Sequence, residues 1–159
     1  MPTYTASIAA STDDADQAAG TVSLTGTTIN VNGTGQYGGL RFTGVTIPQG
    51  ATIDSATLDV EIISTTYDDP DLTIYAEATD DAATFASSSN NISGRTSTTA
   101  TVTWTATAIG AGVKTSPSIA AIIQEIVNRP GWVSGNNIAI IINANSSASF
   151  FRSVDRRPG

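Results

Sequence analysis

The chain has 159 residues, the size of one domain with a core of its own, and 1–159 is read as a single domain. Only 13% of residues are charged, and fourteen acidic against seven basic residues give a net charge of -7, which repels nucleic-acid phosphates and anionic membrane surfaces. Cys and His are both absent, so disulfides, thiolate chemistry, zinc sites and a Ser-His-Asp arrangement fall away.

The first residues, Met1-Pro2-Thr3-Tyr4-Thr5-Ala6-Ser7-Ile8, lack a basic stretch followed by an apolar one, so no signal peptide is expected. Strands are expected at 3–9, 21–24, 28–31 and 40–45, with turns at Asn32-Gly33 and Pro48-Gln49-Gly50. Three clean period-two runs follow. Leu58, Val60 and Ile62 alternate with Asp59 and Glu61; Leu72, Ile74 and Ala76 alternate with Tyr75 and Glu77; Val102, Trp104 and Ala106 alternate with Thr101, Thr103 and Thr105. Each such run shows one face to a core. One segment changes period: Ile119, Ile122, Ile123, Ile126 and Val127 form the stripe of an amphipathic helix over 117–128. Ser116 is its expected N-cap, Pro117 its first residue and Pro130-Gly131 its stop, with Gln124 and Glu125 outward. Ile138, Ile140 and Ile142 alternate with Ala139 and Ile141, which predicts a central strand covered on both faces. A last strand is expected over 148–154. The sum is an all-β, antiparallel, jelly-roll-like sandwich with one short helix.

Chemistry is sparse. Gly33-Thr34-Gly35-Gln36-Tyr37-Gly38 matches a dinucleotide fingerprint, but the strand-like Leu40-Arg41-Phe42 follows where a helix N-terminus would have to hold the pyrophosphate. A glycine hairpin or bulge fits better. Acids gather at Asp13, Asp14 and Asp16, at Asp68, Asp69 and Asp71, and at Glu77, Asp80 and Asp81. Solvated turns account for them, and the first group is the candidate for a structural calcium ion, the one cofactor considered. No marked carboxylate pair supports hydrolysis, so the chain is read as non-enzymatic. Trp104, in phase with Val102, belongs to the core. Tyr37, Tyr67 and Tyr75 are candidate ligand-contact aromatics, and Trp132 is a further one that its turn otherwise folds over the helix end.

The runs Leu40-Arg41-Phe42-Thr43-Gly44-Val45-Thr46-Ile47-Pro48-Gln49-Gly50-Ala51-Thr52-Ile53, Ala76-Glu77-Ala78-Thr79-Asp80-Asp81-Ala82-Ala83-Thr84-Phe85, and Ile122-Ile123-Gln124-Glu125-Ile126-Val127-Asn128-Arg129-Pro130-Gly131-Trp132-Val133-Ser134-Gly135-Asn136-Asn137 together resemble a β-sandwich module of tailed-phage and bacterial surface proteins. That module is distantly similar to carbohydrate-binding jelly rolls. The resemblance implies an appended binding or structural unit, and a further strand after Arg157 that this sequence does not carry.

These readings point to a virion structural protein of a tailed phage, made in the host cytoplasm, decorating the capsid or belonging to the tail. Its partners would be capsid or tail proteins and copies of itself in a trimer or dimer, with no nucleic acid and no membrane. The alternative is a carbohydrate-binding module of a secreted enzyme or adhesin that contacts a cell-surface glycan. An open sheet edge beside 138–142 would be covered by a neighbouring chain, with Phe150, Phe151 and Arg152 at that contact.

Overall fold

The computed structural model describes residues 3–26, 28–63, 69, 71–146 and 151–154, the last four as backbone. Two antiparallel sheets form. The six-stranded sheet runs β2(Thr21–Ser23), β1(Asp14–Ala18), β4(Tyr37–Phe42), β9(Ile138–Ala144), β6(Asp71–Ala76), β7(Val102–Thr105). The four-stranded sheet runs β3(Thr28–Val31), β10(Phe151–Val154), β5(Asp59–Ile62), β8(Gly112–Thr115). A single helix, α1(Ala120–Val127), lies between β8 and β9 in the chain. It is far too short to cross a membrane, and no helix among the described residues is long and apolar enough to do so.

The expected alternation explains the main core. Val60 and Ile62 from one sheet, Leu72, Ile74, Ile140 and Ile142 from the other, and Ile122, Ile126 and Val127 from α1 share one cluster. Trp104 joins it. β9 sits between β4 and β6, and residues 138–142 are buried at every position. Its second face, Ala139 and Ile141, belongs to a separate cluster with Ala15, Val22, Ala82, Phe85 and Ile92. The two-faced isoleucine run is therefore a central strand with a second cover laid over it.

Several local expectations are corrected. Residues 3–9 form no strand. Ser116 does not cap α1: its Oγ accepts from the Leu58 N–H at 3.0 Å and donates to Pro117 O, while Ile119 holds the cap position without a side-chain bond. Gln124 and Glu125 do not face outward into water. Gln124 Oε1 accepts from Ile53 N–H at 2.8 Å and its Nε2 donates to Ala51 O at 2.9 Å. Glu125 takes the N–H groups of Thr99 and Ala100 at 2.8 and 2.7 Å. Both side chains tie α1 to loops that offer unpaired backbone groups.

The edge expected beside 138–142 is also corrected, because β9 bonds to β4 on one side and β6 on the other. The strand expected at 148–154 is found as β10, and it lies inside the second sheet. Phe151 pairs with Val31 and Arg152 with Asn30, and Ser153 meets Ile62 on the other side. Their backbone groups are thus used within the chain, which removes the reason for placing Phe151 and Arg152 at an edge; Phe150 lies outside the described residues.

Candidate functional site

Strand register sorts the outer face of the six-stranded sheet into two ends. Ala15, Gly39, Ile141 and Tyr75 share one row, and Gln17, Tyr37, Asn143 and Thr73 share the next. Over the first row lies a cover made by residues 78–96. Three arginines fasten it. Arg41 donates from Nε to Ala82 O at 2.8 Å and pairs with Asp13 at 2.5 Å. Arg95 pairs with Glu77 at 2.6 Å, donates to Ala83 O, Thr84 O and Asn91 O, and places its guanidinium 4.4 Å from the Phe85 ring centroid. Arg129 pairs with Asp80 at 2.6 Å. Phe85 itself presses onto Gly39, where an added Cβ would come within 2.5 Å of the ring, so only glycine admits it.

The second row is covered at one end, where Gln17 is 2% exposed and its Oε1 accepts from the Ile92 and Ser93 N–H groups at 3.0 Å. Tyr37 on β4 and Tyr75 on β6 are half-buried against the edge of the outer cluster. They flank β9 from either side, separated laterally by two strand spacings, roughly 10 Å. Burial pushes the Tyr75 phenol up to about 12, and the neighbouring Tyr37 phenol adds to the shift. Asn143 stands between Tyr37 and Thr73, and its Oδ1 is buried with no hydrogen-bond partner among the described residues. Such an orphan acceptor costs about 1–3 kcal/mol. At the far end Thr73 Oγ1 donates to Asn145 Oδ1 at 2.9 Å, and Asn145 Nδ2 donates to Asp71 at 3.0 Å. Tyr37, Asn143 and Thr73 therefore stand in one row on paired strands, with Tyr75 in the neighbouring, covered row and Asn145 just past the end of β9.

The other candidates are dispersed. Asp13, Asp14 and Asp16 are corrected as a calcium site and as a solvated turn. Asp13 and Asp14 are buried, at 3% and 4% exposure, and strand alternation turns Asp13 toward Arg41 while Asp14 and Asp16 take the opposite face beside Leu40 and Gly38. Burial raises the Asp16 carboxyl, with bonds from Asn30 and its own backbone N–H offsetting part of that. Among the described residues no three acidic side chains gather closely enough to hold a metal ion. Asp69 accepts from the Ala108 N–H, Asp81 from Asn137, and Asp68 and Tyr67 lie outside the described residues. Trp132 is corrected as a contact aromatic, since it is 1% exposed and its Nε1–H is spent on Ile47 O at 2.9 Å.

The glycine run is corrected as a hairpin, for β3 and β4 belong to different sheets. Gly38 instead lets β4 approach β3, where a Cβ would lie 2.8 Å from Ile29 and 3.0 Å from Val31. A cleft of about 1000 Å³ opens between residues 3–8 and 45–61; Asp14 reaches it, but Tyr37, Tyr75 and Trp132 do not. Sequence reasoning missed Arg41, Arg95 and Asn143. The arginines carried a signal, being isolated cations in a chain with few of them. The chain matches no protein-family model and no curated protein sequence.

Proposed function

We propose that the protein is a non-enzymatic virion component of a tailed phage, in the capsid decoration or the tail, working through contacts with capsid or tail proteins and with copies of itself. The observation that carries this reading is how the three segments behind the resemblance are used. They interlock as scaffold. Gln49 donates to Arg129 O and Pro130 O, Gln124 bridges Ala51 and Ile53, Trp132 bonds Ile47 O, and Asn136 donates to Asp80 O. Asp13, Glu77 and Asp80 are each engaged by an arginine. What these segments have in common with the surface module is thus framework, as suits a unit whose work is done by its surface. β8, paired only to β5 among the described strands and carrying Val113 at 54% exposure, offers an edge for a neighbouring copy.

Mass spectrometry of purified particles tests the reading. The chain is expected at a stoichiometric, fixed copy number per particle, with the β8 amides more protected from hydrogen exchange there than in the isolated protein. Recovery of the chain only outside intact particles overturns it. So does turnover of a polysaccharide panel that disappears when one acid is replaced by its amide.

A further inference from the structure

We propose that the cleft between residues 3–8 and 45–61 is a slot for an extended segment of another protein, a strand that adds to the side of β5 turned away from β8, with apolar side chains at alternate positions and basic ones between them. The slot is separate from the β8 edge and does not depend on the chain being part of a virion.

The first observation is the direction of the backbone. β10 stands between β3 and β5, but among the described residues it meets β5 only at Ser153↔Ile62. Earlier in the chain, Leu58 O accepts the Ser116 N–H at 2.9 Å, Ser116 Oγ accepts the Leu58 N–H at 3.0 Å, and Ala56 O accepts the Ile119 N–H at 2.8 Å. These groups point toward the β8 side. Strand alternation turns the N–H and C=O of Thr57 and Asp59 the other way, into the cleft, where no strand runs beside them among the described residues. Both residues are exposed. Backbone donors and acceptors along a groove are a template for a further strand.

The second is the shape and lining of the cleft. Leu40 and Phe42 of β4 and Ile138 and Ile140 of β9 line it from the larger sheet, and Leu58 and Val60 belong to the same core. A strand beside β5 carries every second side chain in phase with Leu58 and Val60, toward that apolar lining, and the ones between in phase with Asp59, toward water. At about 1000 Å³ the cleft stands at the upper limit of small-molecule pockets, roughly 300–1,000 Å³, and residues 3–8 and 51–61 each border it as a continuous run of chain, which suits an extended segment better than a compact ligand. The border of residues 3–8 forms no ladder: Tyr4 Oη donates to Gly44 O at 3.5 Å and Ile8 packs against the core, so it moves aside without breaking a sheet.

Charge selects the partner. Asp14, Asp54, Asp59 and Glu61 line the cleft, and none of its lining residues is basic. The Asp59 carboxylate accepts from Thr115 Oγ1 at 2.7 Å, which leaves it lone pairs for a cation directly opposite on an added strand. A second copy of this chain brings a net charge of -7 to the same place, so a basic segment of a different protein is the better match.

The test is a titration of the full-length, isotope-labelled protein with the acetylated peptide amide Lys-Val-Arg-Ile-Lys-Val, read from backbone amide shifts. The peptide is expected to shift the amides of Thr57, Asp59 and Leu40 with a Kd at or below about 100 μM. Placing Glu at its basic positions removes the charge match, and methylating the backbone nitrogens of its basic residues removes the ladder bonds toward β5; each change is expected to weaken binding by about tenfold or more. Asp59→Asn in the protein is expected to weaken it by about threefold or more, and if that variant does not fold, the peptide series on the unchanged protein decides. Absence of shifts overturns the proposal, as do shifts that map away from the cleft and equal binding of the acidic or the methylated peptide. The same sample without peptide separates the other occupants. Thr57 and Asp59 amides already protected from hydrogen exchange in the dilute monomer show that the chain's own residues fill the slot, and protection that grows with protein concentration shows a second copy there; either result overturns the proposal.

Discussion

The two ends of one sheet face are built by opposite means. At the covered end, buried apolar groups and three arginine–carboxylate pairs hold a loop down over Ala15, Gly39 and Ile141. At the other end, Tyr37, Asn143, Thr73 and Thr103 form a polar row in which Gln17 is bound by the loop through Ile92 and Ser93. The lesson is that the roof is apolar where the outward residues of β9 are Ala139 and Ile141, and in the Asn143 row it is held by the Gln17 side-chain amide instead. Burying the Arg41–Asp13 pair gives the roof geometric definition more than net stability, since desolvation offsets much of the attraction.

The contrast is broken most severely by removing the keystone of the cover. Phe85→Ala empties the space between Gly39 and the Arg95 guanidinium and is expected to cost about 3–5 kcal/mol in denaturant melts. Thr103→Ala, exposed on the open side, is expected to stay within about 0.5 kcal/mol. Equal costs would show that the two ends do not differ in the way described.

Much of this architecture was legible in the sequence, and the failures have identifiable causes. Period-two runs located β5, β6, β7 and β9 because each keeps a hydrophobic face, and the double-sided isoleucines of β9 announced a second cover. β1 was missed because Asp14 and Asp16 occupy its inward positions, where an apolar residue is the usual signal. β8 was missed because Gly112-Val113-Lys114-Thr115 is short and partly exposed. Of the site, Tyr37 and Tyr75 were chosen as aromatics with polar tips, but nothing in their spacing placed them on either side of β9. That requires the strand order β4-β9-β6, which long-range pairing sets and local sequence does not.

A smaller effect sharpens the same contrast at α1, whose isoleucine face was readable and whose polar face was not. Gln124→Ala strands the Ile53 N–H and Ala51 O, and is expected to cost about 1–3 kcal/mol instead of the small change typical of a surface glutamine. A change below about 0.5 kcal/mol would mean that water replaces the side chain at no loss.

At the rim of the cover, β1 and β2 are joined through Ala19 and Gly20 with φ of 48° and 81°. Both residues are left-handed, the geometry of a tight hairpin turn, and an alanine there is strained. Gly20 O also accepts the Asn90 N–H at 2.9 Å, so the turn anchors the cover. Ala19→Asn is expected to raise stability by about 0.5–1 kcal/mol, since asparagine tolerates this conformation. A lowered melting temperature would place strain elsewhere than the turn.

The smallest effect at neutral pH is at Tyr75, in the covered row beside Ile141, which is neutral in both folded and unfolded chains. Its phenol ionises at about 12 in the fold against the ordinary 10.0, because burial disfavours the phenolate and Tyr37 adds to that. The sign follows from which state releases the proton first. Below pH 10 neither does, and the contribution to stability is full. Between about pH 10 and 12 the unfolded chain loses the proton while the fold keeps it, so stability falls as pH rises through that window. An alkaline absorbance titration of the folded protein should show one tyrosine ionising late, and Tyr75→Phe should remove that step and flatten the loss of stability above pH 10. A protein whose tyrosines all ionise near 10 would have Tyr75 open to water, and the covered row would then end short of β6.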